Sequence, residues 1–339
     1  MFLYKHPNGI WYIHYDDPSG RKLKRSTRCK NKNDALKFLQ SWEHTEKEEQ
    51  QTLQNLHLSE FRDRYLEHAR LKFVSKSVNG ICTVLRDLIK ELNDPLIRRI
   101  RSLDVSRFID ARQAAHGMWS ARHYYGMLAS AFQTAVQWDI LTENPFRKVK
   151  KPEPPRQLPL FFSKEEFQTY LSVIDRPIFK DLSVIAVLTC LRLNELLFLE
   201  WDDVDLSKRL IHVRNKDTFI TKTKRNRTIP MHDEVADILI RLHENRTGPF
   251  IFSHKGKRLQ DMNASATVKS YIRKSGVNPK LHFHSFRHTG ATWMVQAGIS
   301  IYTVSKILGH SSVSTTQIYA HWSPDQFHSA VNSIRLEGR

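Results

Sequence analysis

The side chains best suited to chemistry lie in four short segments of the second half of the chain. Arg192 and Arg287 carry planar guanidinium groups, each of which can bind two oxygens of one phosphate. His284 and His310 carry imidazoles that donate hydrogen bonds or exchange protons near neutral pH. Tyr319 carries a hydroxyl that can attack as a nucleophile. Together these residue types could stabilise the charge on a pentavalent phosphate while a hydroxyl attacks it.

Each of these residues also has an ordinary structural interpretation. Arg192 stands three residues before Glu195, which is typical of a surface ion pair, although the carboxylate could also orient the guanidinium. A single tyrosine on a helix more often packs in a core than reacts. His282, His284 and His288 suggest a metal site, but no glutamate follows His284 directly, as the zinc-protease motif requires. We therefore expect no bound metal.

The first two segments predict a helix and a small sheet. Residues 187–206, VLTCLRLNELLFLEWDDVDL, are helical in pattern up to about Leu199, so Arg192 and Glu195 would share one face. Residues 211–231, IHVRNKDTFITKTKRNRTIPM, join β-branched runs through basic turns, which predicts an antiparallel sheet whose turn presents Lys222 and Lys224. A lysine-rich turn is normally a solvated loop tip and indicates little by itself.

The other two segments predict helices that carry the remaining residues. In LHFHSFRHTGATWMVQAG, His284 and Arg287 stand three apart at the start of a helix and would project together. In VSKILGHSSVSTTQIYAHWSP, Gly309 is expected to end a helix and to leave His310 just beyond its C-terminus. A new helix is then expected to carry Tyr319 about one turn in.

Two regions precede these segments. Residues 1–50 begin with three alternating runs, FLYKH, IWYIHY and RKLKRST, which predict a three-stranded meander covered by a helix that Asn33 or Asp34 caps. Residues 57–147 predict a basic bundle of four or five helices. The apolar positions expected to face its core are Leu58, Phe61, Tyr65, Leu66, Val78, Ile81, Val84, Leu85, Leu88, Tyr125, Leu128, Ala129, Phe132 and Val136.

Composition favours a nucleic acid as partner. Lys and Arg total 53 against 35 Asp and Glu, a net charge of +18 with a pI near 9.8, and binding phosphates would release their counterions. Hydrophobic residues at 40% are enough to build cores, and the charged fraction of 26% argues against disorder. Three scattered cysteines predict neither disulfides nor a cysteine zinc site. No signal peptide or long apolar run is evident, so we expect an intracellular protein that does not enter a membrane.

The four segments together resemble the signature of the tyrosine recombinase (phage integrase) family. The matching stretches occur in the family's order and with similar spacing: Arg192 in TCLRLNEL, Lys222 in ITKTKRNRTIP, HSFRHT at 284–289, LGH at 308–310 and Tyr319 in TTQIYAH. The resemblance covers residues 160–335, and its fold would be mainly α with small β-sheets. Residues 57–147 resemble the family's core-binding domain in their helical pattern. Residues 1–50 look like the family's small arm-type DNA-binding domain.

The resemblance implies a site-specific DNA recombinase, or integrase. Tyr319 would form a 3′-phosphotyrosine bond. The scissile phosphate would be bound by Arg192 and Arg287, and Glu195 would support Arg192. His284 and His310 would donate hydrogen bonds to the non-bridging oxygens or help to deprotonate Tyr319. Lys222 would protonate the leaving 5′ hydroxyl, although alignment rather than deduction selects it over Lys216 and Lys224. His288 adjoins Arg287 and could compete with His284, but the HxxR spacing favours His284. A hydroxyl from another strand reseals the DNA, so no cofactor is expected. A proline-rich basic linker at 148–157 would precede a catalytic domain at 158–322.

The implied partners are double-stranded DNA at specific sites and further copies of the chain in a tetrameric synapse. Whether accessory DNA-bending or excision factors are needed stays open. The expected location is the cytoplasm and nucleoid of a bacterial or phage-infected cell. Two alternatives are a type IB-like topoisomerase and a catalytically silent DNA-binding regulator of the same fold. The small N-terminal domain and C-terminal tail favour recombination over the first, and the complete set of site residues argues against the second.

The tail at 323–339 predicts a short helix. Ser323 is expected to cap it, with Pro324 at its first position and Gln326 at its third. An apolar stripe follows, formed by Phe327, Ala330, Val331 and Ile334. A helix this short needs a surface to bury its stripe. It would either fold back on its own domain or dock into a neighbouring subunit, as the family resemblance implies.

Overall fold

The computed structural model describes residues 1–16, 21–155, 157–221 and 225–322, with the backbone alone for 45–54. Lys222, Lys224 and the tail at 323–339 therefore lie outside the described residues. The chain divides into two units, residues 1–156 and 157–339. As expected, the fold is mainly helical with small antiparallel sheets. In the described part of the chain, no helix is both long enough and apolar enough to cross a membrane.

The first unit opens with a three-stranded antiparallel sheet in the order β1-β2-β3, followed by α1. The bounds are β1 Phe2–Lys5, β2 Trp11–Asp16, β3 Lys22–Ser26 and α1 Lys32–Gln54. One face of the sheet buries Ile13 and packs the ring of Tyr15 on Trp42 of α1. Helix α1 starts earlier than expected. Its cap is Asn31, whose side-chain oxygen accepts a hydrogen bond from the N–H of Asn33. Neither Asn33 nor Asp34 is therefore the capping residue.

The helical bundle of the first unit follows, with α2 Leu58–Lys72, α3 Ser75–Leu92 and α4 Ser102–Gln137. Gly117, with φ of 80°, breaks α4 into two segments, so the bundle has four helical segments within the described residues. The predicted apolar positions of α2 and α3 are all buried. In α4 the buried stripe is shifted: Leu128 and Phe132 are buried as expected, while Tyr124 rather than Tyr125 lies inside. A 3₁₀ turn at Pro145–Lys148 buries Phe146 against this core.

The second unit surrounds one large apolar core. Its helices are α5 Lys164–Ser172, α6 Pro177–Thr189, α7 Leu193–Leu197, α8 Asp233–Glu244, α9 Asp261–Lys274, α10 Phe283–Gln296 and α11 Ile301–Leu308. Its strands are β4 Val204–Asp205, β5 Leu210–Val213 and β6 Arg227–Pro230, in one antiparallel sheet, and the hairpin β7 Ser253–His254 and β8 Lys257–Arg258. Short 3₁₀ helices occupy Trp201–Asp203, Val313–Thr315 and Gln317–Trp322.

Helices α6 and α10 pack unusually close in the centre of this unit. A Cβ atom added to Gly290 of α10 would lie 2.0 Å from the Val187 carbonyl oxygen and 2.6 Å from the Cys190 sulfur. Only a residue without a side chain permits that approach. The close contact places the middle of α10 against the end of α6, where the candidate site residues begin.

Candidate active site

The first site residue lies at a break between two helices. The predicted continuous helix up to Leu199 is wrong: α6 ends at Thr189, and Cys190 adopts a left-handed conformation with φ of 55°. Arg192 then precedes α7 in an extended conformation, and its N–H donates to Glu195 at 3.0 Å. The glutamate thus caps α7 and fixes the residue whose guanidinium it also holds.

Glu195 lies between two arginines. Its Oε1 accepts from Arg192 at 2.9 Å, while Arg227 of β6 donates to both of its oxygens, at 3.1 and 2.6 Å. The carboxylate is only 2% exposed. Burial would raise the pKa of Glu195, but the Arg227 hydrogen bonds and the charges of both arginines lower it to about 2. The glutamate therefore stays ionised, and it orients Arg192 as the sequence suggested.

Arg287 is the most deeply buried arginine of the site, at 2% exposure. Its Nη1 donates to the Cys190 carbonyl at 2.7 Å and its Nη2 to the Leu308 carbonyl at 2.6 Å. Among the described residues no carboxylate forms an ion pair with it. Burial, together with the nearby charge of Arg192, lowers the pKa of Arg287 to about 10. A buried cation surrounded by other cations favours an anion such as a phosphate.

His310 lies where the sequence placed it. Helix α11 ends at Leu308, and Gly309 turns the chain with φ of 66°. The imidazole Nδ1 is 2.8 Å from the Thr316 hydroxyl. Burial, followed by the charges of Arg287 and Arg192, lowers the pKa of His310 to about 4, so it is neutral near pH 7.

Gly309 also brings the His310 turn against Arg227. A Cβ at this position would lie 2.8 Å from the Arg227 Cδ atom. The Arg227 side chain thus touches both the glutamate that holds Arg192 and the turn that carries His310. Sequence reasoning missed Arg227, because it is one basic residue among several in KTKRNR and its partner Glu195 stands 32 positions away.

Tyr319 is buried, at 1% exposure, in an apolar cluster with Cys190, Val304 and Leu308. It sits in a 3₁₀ helix, Gln317–Trp322, that follows another at Val313–Thr315, and not in the α-helix expected. Burial raises the pKa of Tyr319, and the charge of Arg287 partly offsets this. The phenol is therefore protonated at rest.

The Tyr319 hydroxyl forms a hydrogen bond with Nδ1 of His288, at 2.6 Å. His284, the residue that the HxxR spacing selects over His288, is exposed and lies one turn earlier on α10, with its ring centroid 4.8 Å from that of His288. The spacing within one helix could not reveal that a tyrosine 31 residues later packs on His288.

Of the three candidate lysines, the described residues include Lys216. Its Nζ lies 2.7 Å from Glu200 and 2.5 Å from Asp203, so two carboxylates already neutralise it. Lys222 and Lys224 are outside the described residues. In the described ranges, no three His, Cys, Asp or Glu side chains are grouped to hold a metal ion.

The chain is similar to known proteins of one family. The phage integrase family matches residues 164–326 of the chain. Tyrosine recombinase XerA of Pyrococcus furiosus is 29% identical over 287 residues, which cover 82% of this chain and 95% of that protein. XerA of Thermococcus kodakarensis is 32% identical over 197 residues, covering 56% of this chain and 67% of that protein.

A solved structure shows the same fold. The crystal structure of a lambda integrase tetramer bound to a Holliday junction matches with a TM-score of 0.68 at 18% identity. The match covers 92% of this chain and 96% of that one. The shared fold thus extends over both units of the chain, well beyond the residues that carry the sequence signature.

Proposed function

Because this chain belongs to the tyrosine recombinase (phage integrase) family, we propose that it cuts and rejoins DNA through a covalent bond to Tyr319. The chain is a site-specific DNA recombinase. The observation that carries the assignment of Tyr319 is its burial in one cluster with Cys190 and Leu308, the two residues whose carbonyl oxygens accept hydrogen bonds from Arg287. This arrangement supports a site in which the proposed nucleophile lies near a group proposed to bind the phosphate.

In the proposed reaction, Arg192 and Arg287 bind the non-bridging oxygens of the scissile phosphate, and His284 and His310 donate hydrogen bonds to them. The Tyr319 oxygen attacks the phosphorus, and the bond to the 5′ oxygen breaks. The two guanidinium groups gain strength as charge develops on the pentavalent phosphate. Lys222 supplies the proton that the leaving 5′ oxygen takes. Attack by a 5′ hydroxyl on the phosphotyrosine reverses these steps and reseals a strand, so the bond energy is conserved.

The assembly belongs to the same proposal. The lambda integrase, which shares this fold, forms a tetramer on a Holliday junction. We propose that this chain likewise binds double-stranded DNA at specific sites and assembles as a tetramer, with the tail at 323–339 docked into a neighbouring subunit. Accessory DNA-bending or excision factors and association with the nucleoid would accompany this activity. Exchange between sites gives integration, excision or inversion.

The N-terminal sheet is proposed to bind a second, arm-type DNA site. The face of the sheet opposite α1 carries a contiguous row of rings. The ring centroid of Tyr4 lies 5.9 Å from that of Tyr12 and 5.2 Å from that of His14. Lys24 stands beside His14 in the pairing of β2 with β3 and is exposed. Rings and a cation on one solvent face suit contact with bases and phosphates.

The test uses a nicked duplex that carries the site which the protein protects within the DNA flanking its gene. Loss of the short fragment beyond the nick prevents resealing, so wild-type protein should accumulate a covalent adduct. Tyr319→Phe should bind with unchanged affinity and form none. Tyr302→Phe is the matched control, because Tyr302 is exposed on α11 and should be dispensable. An adduct in Tyr319→Phe would refute the assignment.

The same assay separates the two alternative functions. A catalytically silent regulator would give no adduct at all. A type IB-like topoisomerase would form the adduct and relax supercoils, but it would not exchange strands between two sites. Exchange between two labelled sites, dependent on Tyr319, is the result that the proposed function requires.

A further inference from the structure

We propose that His288 is a further catalytic residue, whose imidazole holds the Tyr319 hydroxyl and takes up its proton as the oxygen attacks phosphorus. This inference rests on the proposed function, since it concerns the activation of the same nucleophile. His288 lies outside the signature set of Arg192, Lys222, His284, Arg287, His310 and Tyr319.

The positions of His288 and Tyr319 support the assignment. Nδ1 of His288 and the Tyr319 oxygen are 2.6 Å apart, a distance at which the proton can pass directly between them. His288 is fixed in the first half of α10, where Arg287 and Thr289 on either side are buried. The phenol is enclosed by its apolar cluster, so the imidazole is the polar group that the described residues place on its hydroxyl.

The other two histidines are placed differently. His310 directs Nδ1 to the Thr316 hydroxyl, 2.8 Å away. His284 is exposed at the start of α10, where it can meet a phosphate. The imidazole of His288 contacts the proposed nucleophile, whereas the other two are proposed to contact the phosphate.

The proton balance is complete without another reactant. As the Tyr319 oxygen bonds to phosphorus, its proton moves to Nδ1 of His288, and the 5′ oxygen leaves with a proton from a separate donor. The imidazolium then stands beside the phosphotyrosine bond. When a 5′ hydroxyl attacks in the second step, its proton returns to that donor, and Tyr319 departs as the leaving group and recovers its own proton from His288.

The surrounding charges explain when His288 becomes basic. Burial comes first in lowering the pKa of His288 to about 3, followed by electrostatic interactions with His284, His282, Arg287 and His310. At rest the imidazole is therefore neutral and able to accept the phenol proton. A phosphate bound by the arginines would offset the charge of Arg287, which raises the proton affinity of His288 when the substrate is in place.

The experiment measures single-turnover cleavage by the full chain on the nicked duplex, from about pH 6 to about pH 10. His288→Phe should cleave roughly 100-fold more slowly or worse at neutral pH, because proton transfer to a positioned base is lost. Its rate should climb with pH as hydroxide replaces the base, whereas the wild-type rate should vary less. His288→Asn keeps an acceptor near the Nδ1 position and should be intermediate. His254→Asn, an exposed histidine of β7, is the matched control.

A substrate with sulfur in place of the 5′ bridging oxygen separates His288 from the donor of the leaving group. Sulfur leaves without a proton, so it should rescue Lys222→Ala but not the His288 variants. Cleavage by His288→Phe and His288→Asn at the wild-type rate, or faster than wild type, would overturn the inference, as would rescue by the sulfur substrate. If instead Tyr319→Phe still formed the adduct, the proposed nucleophile itself would be wrong, whatever the His288 variants did.

Discussion

In the first unit most arginines and lysines of the bundle are exposed, including Arg64, Lys76 and Arg107. In the second unit the candidate site contains three arginines that are half-buried or buried: Arg192, Arg227 and Arg287. An exposed cation attracts phosphates at long range and is screened by salt. A buried cation held by fixed partners acts on one phosphate at short range. The two units should therefore contribute separately, the first to affinity and the second to rate.

The largest effect should come from the arginines proposed to bind the phosphate. Arg192→Ala and Arg287→Ala should each lower the single-turnover cleavage rate by about 100-fold to 1,000-fold with little change in DNA affinity. Lysine at either position should rescue poorly, because an ammonium cannot bind two oxygens side by side. Arg273→Ala, on an exposed position of α9, serves as the control. A lysine variant with the wild-type rate would count against phosphate clamping.

Arg227 should show a smaller effect on rate and a second effect on stability. Arg227→Met leaves Glu195 with Arg192 as its remaining arginine, so cleavage should slow by about 10-fold to 100-fold as the Arg192 guanidinium loses its fixed orientation. Arg209→Met, at the opposite end of the same sheet, is the control. Equal cleavage rates in the two variants would remove Arg227 from the site.

The stability effect of Arg227 has a defined pH window. In the folded protein the pKa of Glu195 is lowered to about 2 from an ordinary value of 4.5, so its ionisation stabilises the fold above pH 4.5. This contribution is lost as the pH falls from 4.5 towards 2. In Arg227→Met the folded pKa should rise towards 4.5, so urea unfolding should show a smaller loss of stability, complete at a higher pH than in the wild type. An unchanged pH profile of the unfolding free energy would mean that Arg227 does not set this pKa.

Exposed cations of the bundle should alter binding alone. Replacing Arg64, Lys76 and Arg107 together with glutamine should weaken core-site binding and reduce the slope of log affinity against log salt by up to about 0.9 for each phosphate that the protein no longer neutralises. The cleavage rate at saturating protein should stay at the wild-type value. A drop in that rate would break the division between the two units.

The smallest effect on core-site cleavage should come from deleting residues 1–50. The truncated protein should cleave the core site nearly as well as the full chain but lose binding to a separate arm-type site, measured on duplexes that carry one or both sites. Loss of all core-site cleavage would contradict the two-site proposal.

The sequence predicted the elements better than it predicted their ends and contacts. Gly309 marked a helix end because glycine tolerates positive φ, whereas Cys190 adopts the same conformation with no such signal. The α-helix expected around Tyr319 is a pair of 3₁₀ helices, since Thr316 separates them and Ser312 caps the first. Such choices depend on tertiary packing that periodicity does not encode.

The site residues likewise divide into those that a local motif predicts and those that depend on contacts between distant elements. Arg192, His284, Arg287, His310 and Tyr319 are predicted from short motifs, because each motif is contiguous in the sequence. The roles of Arg227 and His288 arise from partners on other elements, Glu195 and Tyr319, so no local pattern reveals them. A buried charge needs a partner, and the chain can supply that partner from any distance in sequence.

The most direct test of the proposed mechanism is to identify the residue that becomes covalently bound to the DNA. Wild-type protein is trapped on the nicked duplex and digested with a protease, and mass spectrometry locates the nucleotide-linked peptide. We expect the 3′-phosphate of the DNA to be bonded to Tyr319, within the peptide that contains TTQIYAH. Attachment to any other residue, such as Tyr302, or strand exchange with no covalent intermediate, would contradict it.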